Sequence, residues 1–176
     1  MELQLKYYGD PILRTRCLEI DKITEEIRNL VKDMIETMDA RNGVGLAANQ
    51  IGKLHKLFVI RPEVKTPDGE FALGAAEVYI NPVLSNPSEE TEIMTEGCLS
   101  FPGLHTEVER PFSIHIEAID LNGNPISLDV SGFKARELMH ENDHLNAKVF
   151  IDRLSADQRK AVDPVLRKIK EKYKKS

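Results

Sequence analysis

The residues most able to do chemistry lie in one short run, His140-Glu141-Asn142-Asp143-His144. On an α-helix, side chains four apart stand one above the other on the same face. His140 and His144 can therefore hold one metal ion between them. Glu141 then sits beside the first ligand, within reach of a metal-bound water. Two neutral imidazoles leave most of the ion's charge intact, so the ion lowers the pKa of that water and a nearby carboxylate takes the proton. Five-residue patterns of this kind also occur by accident on exposed polar helix turns, so the rest of the chain must decide. A catalytic zinc-type site needs a third protein ligand and one open position. After His144 there is no His or Cys, only Asp152, Asp157, Asp163 and Glu171. Before it, Glu96-Gly97-Cys98-Leu99-Ser100 offers a cysteine in a turn-rich setting. Cys98 has two readings, a thiolate ligand or a small buried apolar residue. Cys17 lacks such surroundings and reads as packing.

The elements that must carry these residues can be traced from periodicity. Ile23, Ile27, Leu30, Val31, Met34, Ile35 and Met38 recur at helical spacing, predicting a helix over Lys22 to Arg41 that Asn42-Gly43 closes. Its methionines read as core. Gly43 to Gln50, with two glycines and two alanines, predicts a tight segment whose backbone approaches something closely. Lys56 to Ile60 and Glu77 to Asn81 read as strands, the second stopped by Pro82, with Arg61 to Gly74 a loop between them. Val108 to Val130 reads as strand, hairpin and strand around Asn122-Gly123-Asn124. Ser131 or Gly132 should open the metal helix, which runs to about Asn146. A short strand is expected at Val149 to Ile151. Ser155-x-x-Gln158 is a capping box for a final helix, which Pro164 should break or kink, with Asp163 as a second N-cap. The order of elements implies an α+β fold: antiparallel or mixed sheets packed around a central metal helix, with helices at both ends. Arg136 and Glu137 share the face of His140, with Phe133 one turn further back.

The bulk numbers fit one soluble catalytic domain over residues 1–176. Apolar residues make up 41% and charged residues 30%. No apolar run approaches the roughly 18 residues that a bilayer span needs. The N-terminus lacks the basic start and apolar run of a signal peptide, and two cysteines make no disulfide framework. The expected location is the cytoplasm. The net charge is −5, but residues 156–176 carry eight Lys/Arg against three acids. That net +5 leaves the preceding body at −10. The basic tail reads as a solvated helix face or as a surface for a polyanion such as RNA.

Three stretches now stand together: Gly43-Val44-Gly45-Leu46-Ala47-Ala48-Asn49-Gln50, Glu96-Gly97-Cys98-Leu99-Ser100 and His140-Glu141-Asn142-Asp143-His144. In order and spacing the chain resembles the peptide deformylases. The likeness extends to Gly9-Asp10-Pro11-Ile12-Leu13 and Glu109-Arg110-Pro111, and so covers nearly everything up to about Leu154. It implies a hydrolase that removes the formyl group from N-formylmethionine on new polypeptides and releases formate. It implies one divalent metal, Fe(II) in the cell, with Zn, Ni or Co able to substitute. It assigns Cys98, His140 and His144 as ligands and Glu141 as the catalytic carboxylate. It gives the formyl oxygen to Gln50 and the Leu99 backbone N–H. Substrate contacts are expected from Val44, Gly45, Glu96 and Gly97, and from the helix face bearing Phe133, Arg136 and Glu137, which the family uses for the methionine side chain. Three positions depart from the family pattern. Glu137 stands where most members are apolar, so either it points to the rim or the pocket is more polar here. Met139 replaces the usual Gln, and Ala147 stands where Gly is common.

Two other readings compete. Another HExxH peptidase would take its third ligand downstream of the helix, where none but carboxylates exist. An RNA- or ribosome-binding protein without activity draws on the basic tail, yet every expected catalytic residue is present. Some deformylases dock on the ribosome through a C-terminal helix, which makes the ribosome a candidate partner of this tail. Nothing in the chain calls for DNA or a membrane.

Overall fold

The computed structural model describes residues 1–174. Helix α1 spans Glu25–Ala40, with Thr24 Oγ1 accepting from Ile27 N and Glu25 and Glu26 in the first turn. Asn42, not Gly43, takes the left-handed conformation that ends it, at φ 55°. Asn42 N then donates to Asp39 O and Gly43 N to Met38 O. The strands β1 (Gly45–Ala47), β2 (Leu57–Ile60), β3 (Glu63–Lys65), β4 (Phe71–Leu73), β5 (Glu77–Ser85), β6 (Thr91–Gly97), β7 (His105–Pro111), β8 (Ser113–Ile119) and β9 (Pro125–Ser131) follow. Helix α2 spans Gly132–Leu145 and α3 spans Ala156–Tyr173.

Five strands form one antiparallel sheet in the order β1-β2-β5-β8-β9. The four residues of β2 explain its central place. Leu57 and Val59 join one core with Ile27, Val31, Met34 and Met38 of α1. Phe58 and Ile60 join another with Ala135, Leu138, Met139 and Leu145 of α2. All four are buried because successive strand side chains point to opposite faces and both faces are covered by a helix. The metal helix thus lies across one face of the sheet, as its sequence implies. Met139 fills this core rather than the site. A third core joins Phe101, Leu104 and Val108 to Phe150, Ile151, Val162, Leu166 and Ile169. It fastens α3 to the two-stranded ladder of β6 and β7.

Several local expectations are corrected. Residues 61–74 are not a plain loop but contain the β3–β4 hairpin, turned at Thr66 to Gly69. Pro82 does not stop β5. It falls where the register with β8 shifts between Ile80 and Val83, so its missing N–H costs no ladder bond. The β6–β7 ladder has no apolar signature in its first strand, because Thr91 to Gly97 is polar and mostly exposed. Val149 to Ile151 is no strand; Phe150–Arg153 forms a 3-10 turn. Pro164 lies inside an unbroken α3. Val162, Leu166 and Ile169 hold that helix on its core, and Arg167 pairs with Asp163 at 2.7 Å across the proline, so Asp163 is no cap. The Ser155–Gln158 capping box is formed in both directions.

Ala147 ends α2 at φ 62°, with Ala147 N donating to His144 O and Lys148 N to Asp143 O. An alanine there costs on the order of 1 kcal/mol relative to glycine.

Candidate active site

Helix α2 presents His140, Glu141 and His144, and the end of β6 delivers Cys98 to them. The Cys98 Sγ and one ring nitrogen from each histidine lie within 4.8 Å of one another. Cys98 Sγ is 3.4 Å from His144 Nε2. His140 Nδ1 lies 2.9 Å from Glu96 Oε1. A hydrogen bond through Nδ1 leaves the Nε2 lone pair of His140 for an ion. One part-buried soft sulfur and two buried imidazoles converge in a way that suits a divalent transition metal, so the donor set fits the ion that the sequence implies. Cys98 both packs against the third core and faces the two histidines, where it could serve as a ligand, while Cys17 packs half-buried beside the α2 core, its thiol pushed up to about 11 by burial.

Glu96 is more than a neighbour. Its carboxylate accepts from Arg110 Nε and Nη2 at 2.6 and 2.9 Å and from Arg136 Nη1 at 2.6 Å, besides facing His140. Burial opposes its ionisation, yet the bonds from His140 and Arg110 prevail and hold its pKa down to about 2. Arg110 Nη1 also reaches Asp143 Oδ2 at 3.0 Å, and Arg153 clasps Asp143 at 2.6 and 3.1 Å. Arg136 anchors further to Val108 O and Glu92 O. Arg136 and Glu96, expected to touch substrate, thus bond each other, with Glu96 also held by Arg110 and His140 and Arg136 by two backbone carbonyls.

Gln50 comes from a 3-10 turn, Ala48–Ile51, directly after β1. Its Oε1 accepts from Ala47 N at 2.9 Å, and its Nε2 donates to Ser100 Oγ at 3.0 Å and faces Cys98 Sγ at 3.4 Å. The side chain is thereby fixed with its donor end at the thiol. The small residues before it have a visible cause. A Cβ on Gly45 would overlap Glu141 Oε1, and one on Gly43 would stand 2.7 Å from Leu99 Cδ1.

A cleft of about 560 Å³ runs past the site. Of the residues singled out in the sequence, Val44, Gly45, Glu96, Gly97, Cys98, Leu99, Phe133, Arg136, Glu137, His140 and Glu141 line it. Gln50 and His144 do not line it; each meets the site through Cys98 Sγ. Glu137 is buried at 6% exposure rather than on the rim. Neither of its carboxylate oxygens has a hydrogen-bond partner among the described residues, nor does Glu141 Oε2. Burial, with Glu141 as a like charge, pushes Glu137 up to about 8. Burial likewise pushes Glu141 up to about 7. A carboxylate poised there is suited to move a proton near neutral pH.

Comparison with known proteins agrees with this geometry. Residues 3–160 match the family model for polypeptide deformylase. The chain belongs to the peptide deformylase family. It is 46% identical over 149 residues to peptide deformylase 1 of Clostridium perfringens, covering 84% of this chain and 95% of that one. It is 40% identical over 179 residues to the enzyme of Methylacidiphilum infernorum, covering 97% and 94%. The crystal structure of peptide deformylase from Ehrlichia chaffeensis superposes with a TM-score of 0.87 at 35% identity, covering 99% and 98%. As a member of this metal-dependent family the chain is a hydrolase that removes the N-formyl group from newly made polypeptides. No helix among the described residues is long and apolar enough to cross a membrane.

Several residues around the site carry little signal in the sequence. Arg110 was noticed only as part of the resemblance. Asp143, at i+3 from His140, carried a helical signal that could have placed it nearby. Ser100 is marked only by its place in the Glu96–Ser100 stretch, and Arg153, Tyr7 and Tyr173 have no local signal. Tyr7 and Tyr173 line the cleft although 166 positions separate them.

Proposed function

We propose that residues 1–176 form a single catalytic domain in which Cys98, His140 and His144 hold one divalent ion, Fe(II) in the cell, with Zn, Ni or Co able to replace it. When bound, the ion supplies Lewis acidity toward the formyl oxygen and makes a water more acidic. Glu141 takes the proton from the attacking water and returns it to the leaving amine, releasing formate. Gln50 Nε2–H and Leu99 N–H donate to the formyl oxygen as it gains negative charge. Ala47 and Ser100 keep the Gln50 amide from turning away. Glu96 orients the His140 ring and is itself held by Arg110 and Arg136. Val44, Gly45 and Gly97 offer backbone groups to the peptide, with β1 at the edge of its sheet. Glu137, one helical turn from His140 and about 4.5 Å along the axis, and Phe133, one turn further back, wall the space where the first side chain branches.

The observation that carries this reading is the convergence of Cys98, His140 and His144 beside Glu141. The test is hydrolysis of formyl-Met-Ala-Ser by protein purified without oxygen and loaded with Fe(II) or Ni(II), beside Glu141→Ala. Formate release by the wild type and near-total loss in the variant support it. Equal activity in both would remove Glu141 from the chemistry.

The proposed setting is the cytoplasm, with formylated nascent chains as substrate and the ribosome as a docking partner. Lys160, Arg167, Lys168, Lys170, Lys172 and Lys174 are exposed on or just after α3, which supports docking on RNA; Lys175 lies outside the described residues. Leu166 and Ile169 are core, so charge reversal tests this better than deletion. Salt-sensitive binding to ribosomes lost in Lys168→Glu/Lys172→Glu would support docking, and unchanged binding would refute it.

A further inference from the structure

The two histidines of the site are held by different means. His140 is oriented through its ring, because Nδ1 faces Glu96 Oε1 at 2.9 Å. The His144 ring is fully buried, yet its Nδ1 has no hydrogen-bond partner among the described residues. His144 must therefore be fixed by packing and through its backbone. Asn49 Nδ2 donates to His144 O at 2.6 Å, joining residues 95 positions apart. Asn49 is itself fully buried, and no step of the chemistry uses it. The carbonyls in the last turn of a helix lack the N–H groups of a next turn and must find other donors. Here Ala147 N also reaches His144 O, at 3.1 Å, and Cys17 N donates to Leu145 O at 3.0 Å. Asn49 Oδ1, like His144 Nδ1, is buried without a partner among the described residues. An imidazole that binds an ion through Nε2 carries its proton on Nδ1, so this acceptor and that donor are complementary. Asn49 also directly precedes Gln50 in the turn Ala48–Ile51. Gln50 Nε2 faces Cys98 Sγ, which stands 3.4 Å from His144 Nε2. One turn thus meets two of the three ligands, the thiol through Gln50 and the His144 backbone through Asn49.

We propose that Asn49 is a positioning residue of the metal centre, fixing His144 by its backbone as Glu96 fixes His140 by its ring. This role rests on the reading of Cys98, His140 and His144 as ligands. Loss of the Asn49 amide should then cost retention of the ion more than it costs the fold.

The test is titration of the metal-free protein with Co(II) in the absence of oxygen, read by the absorption bands of the bound ion. Wild type is compared with Asn49→Leu, Asn49→Ala and Ile27→Val. Asn49→Leu keeps the size of the side chain and removes its polar atoms. His144 O retains the bond from Ala147 N, so the chain should still fold, which circular dichroism checks. Co(II) affinity should fall about 10-fold, the low end of what loss of a partner behind a metal ligand costs, and the bands should shift. Asn49→Ala should weaken binding at least as much. Ile27→Val lies in the separate core under α1; it should lower the thermal midpoint and leave both affinity and bands unchanged. Wild-type affinity and bands in both Asn49 variants would overturn the role of Asn49. An equal loss of affinity in Ile27→Val would also overturn it, since metal binding would then only follow stability. A wild type that binds no Co(II) would refute the ligand assignment itself, and the role of Asn49 with it.

Discussion

Glu96 and Glu141 both lie beside His140, and both are more than nine-tenths buried, yet their surroundings differ in kind. Glu96 is met by two guanidiniums and an imidazole, and stays ionised far below neutrality. Glu141 and its neighbour Glu137, one turn back, are given almost nothing to bond. Burial costs any ionised carboxylate heavily, and only dedicated partners repay that cost. Where partners exist the group is fixed and its proton is gone; where they are withheld the proton can come and go. One side of the helix meets a carboxylate held by many partners, and the other carries carboxyls left almost without them.

This contrast can be broken from either side. The largest expected effect is on rate. Glu141→Gln should lower kcat/KM on formyl-Met-Ala-Ser by about 10³-fold or more, since the amide cannot accept the proton. Its thermal midpoint should not fall, because little is bonded to the carboxylate. A stability loss as large as that of Glu96→Gln would show that Glu141 is structural. Glu96→Gln should behave in the opposite way. It leaves Arg110 and Arg136 buried with a neutral partner, which costs about 3–5 kcal/mol and lowers the midpoint by roughly 10 °C. It should also weaken metal affinity about 10–100-fold by freeing the His140 ring. Chemical denaturation and metal titration check the two parts separately. Next in size is Asp143→Asn, which loosens the outer tie from Arg110 to Arg153. About 1–3 kcal/mol of stability should go, with kcat/KM nearly intact in the folded protein.

The same contrast marks what the sequence can disclose. His140, Glu141 and His144 were legible because helical spacing alone puts them on one face. Cys98 and Gln50 were legible through motif order, since no local rule joins residues 48 or 42 positions apart. The helix α1 was readable from its apolar period, and β8 and β9 from alternation. What stayed hidden was settled by tertiary context. Pro164 ought to break a helix, but Val162, Leu166 and Ile169 bury enough apolar surface to hold it through. Pro82 ought to end a strand, but a register shift gives it a position with no donor to lose. That Arg110 and Arg136 converge on Glu96 was not legible either, because nothing local shows that they come from elsewhere to bond it. Glu137 could be recognised as out of place, but only the packed helix shows that it is both buried and unpartnered.

Glu137 gives the sharpest test, because the fold supplies neither of its carboxylate oxygens with a hydrogen-bond partner among the described residues. Its pKa is about 8 in the folded chain against an ordinary 4.5 once unfolded. Between those values the folded chain keeps a proton that the unfolded chain has released. Stability therefore falls as pH rises through that window and levels off above it. Glu137→Leu removes both the lone polar group and the proton. The variant should melt only slightly above the wild type near pH 5 and roughly 5–10 °C above it near pH 8, as a gain of a few kcal/mol implies for a chain this size. Thermal scans at the two pH values decide it. A gap that stays the same at both would mean that Glu137 finds a partner in solution, and the division between a satisfied and an unsatisfied side of α2 would then rest on Glu141 alone.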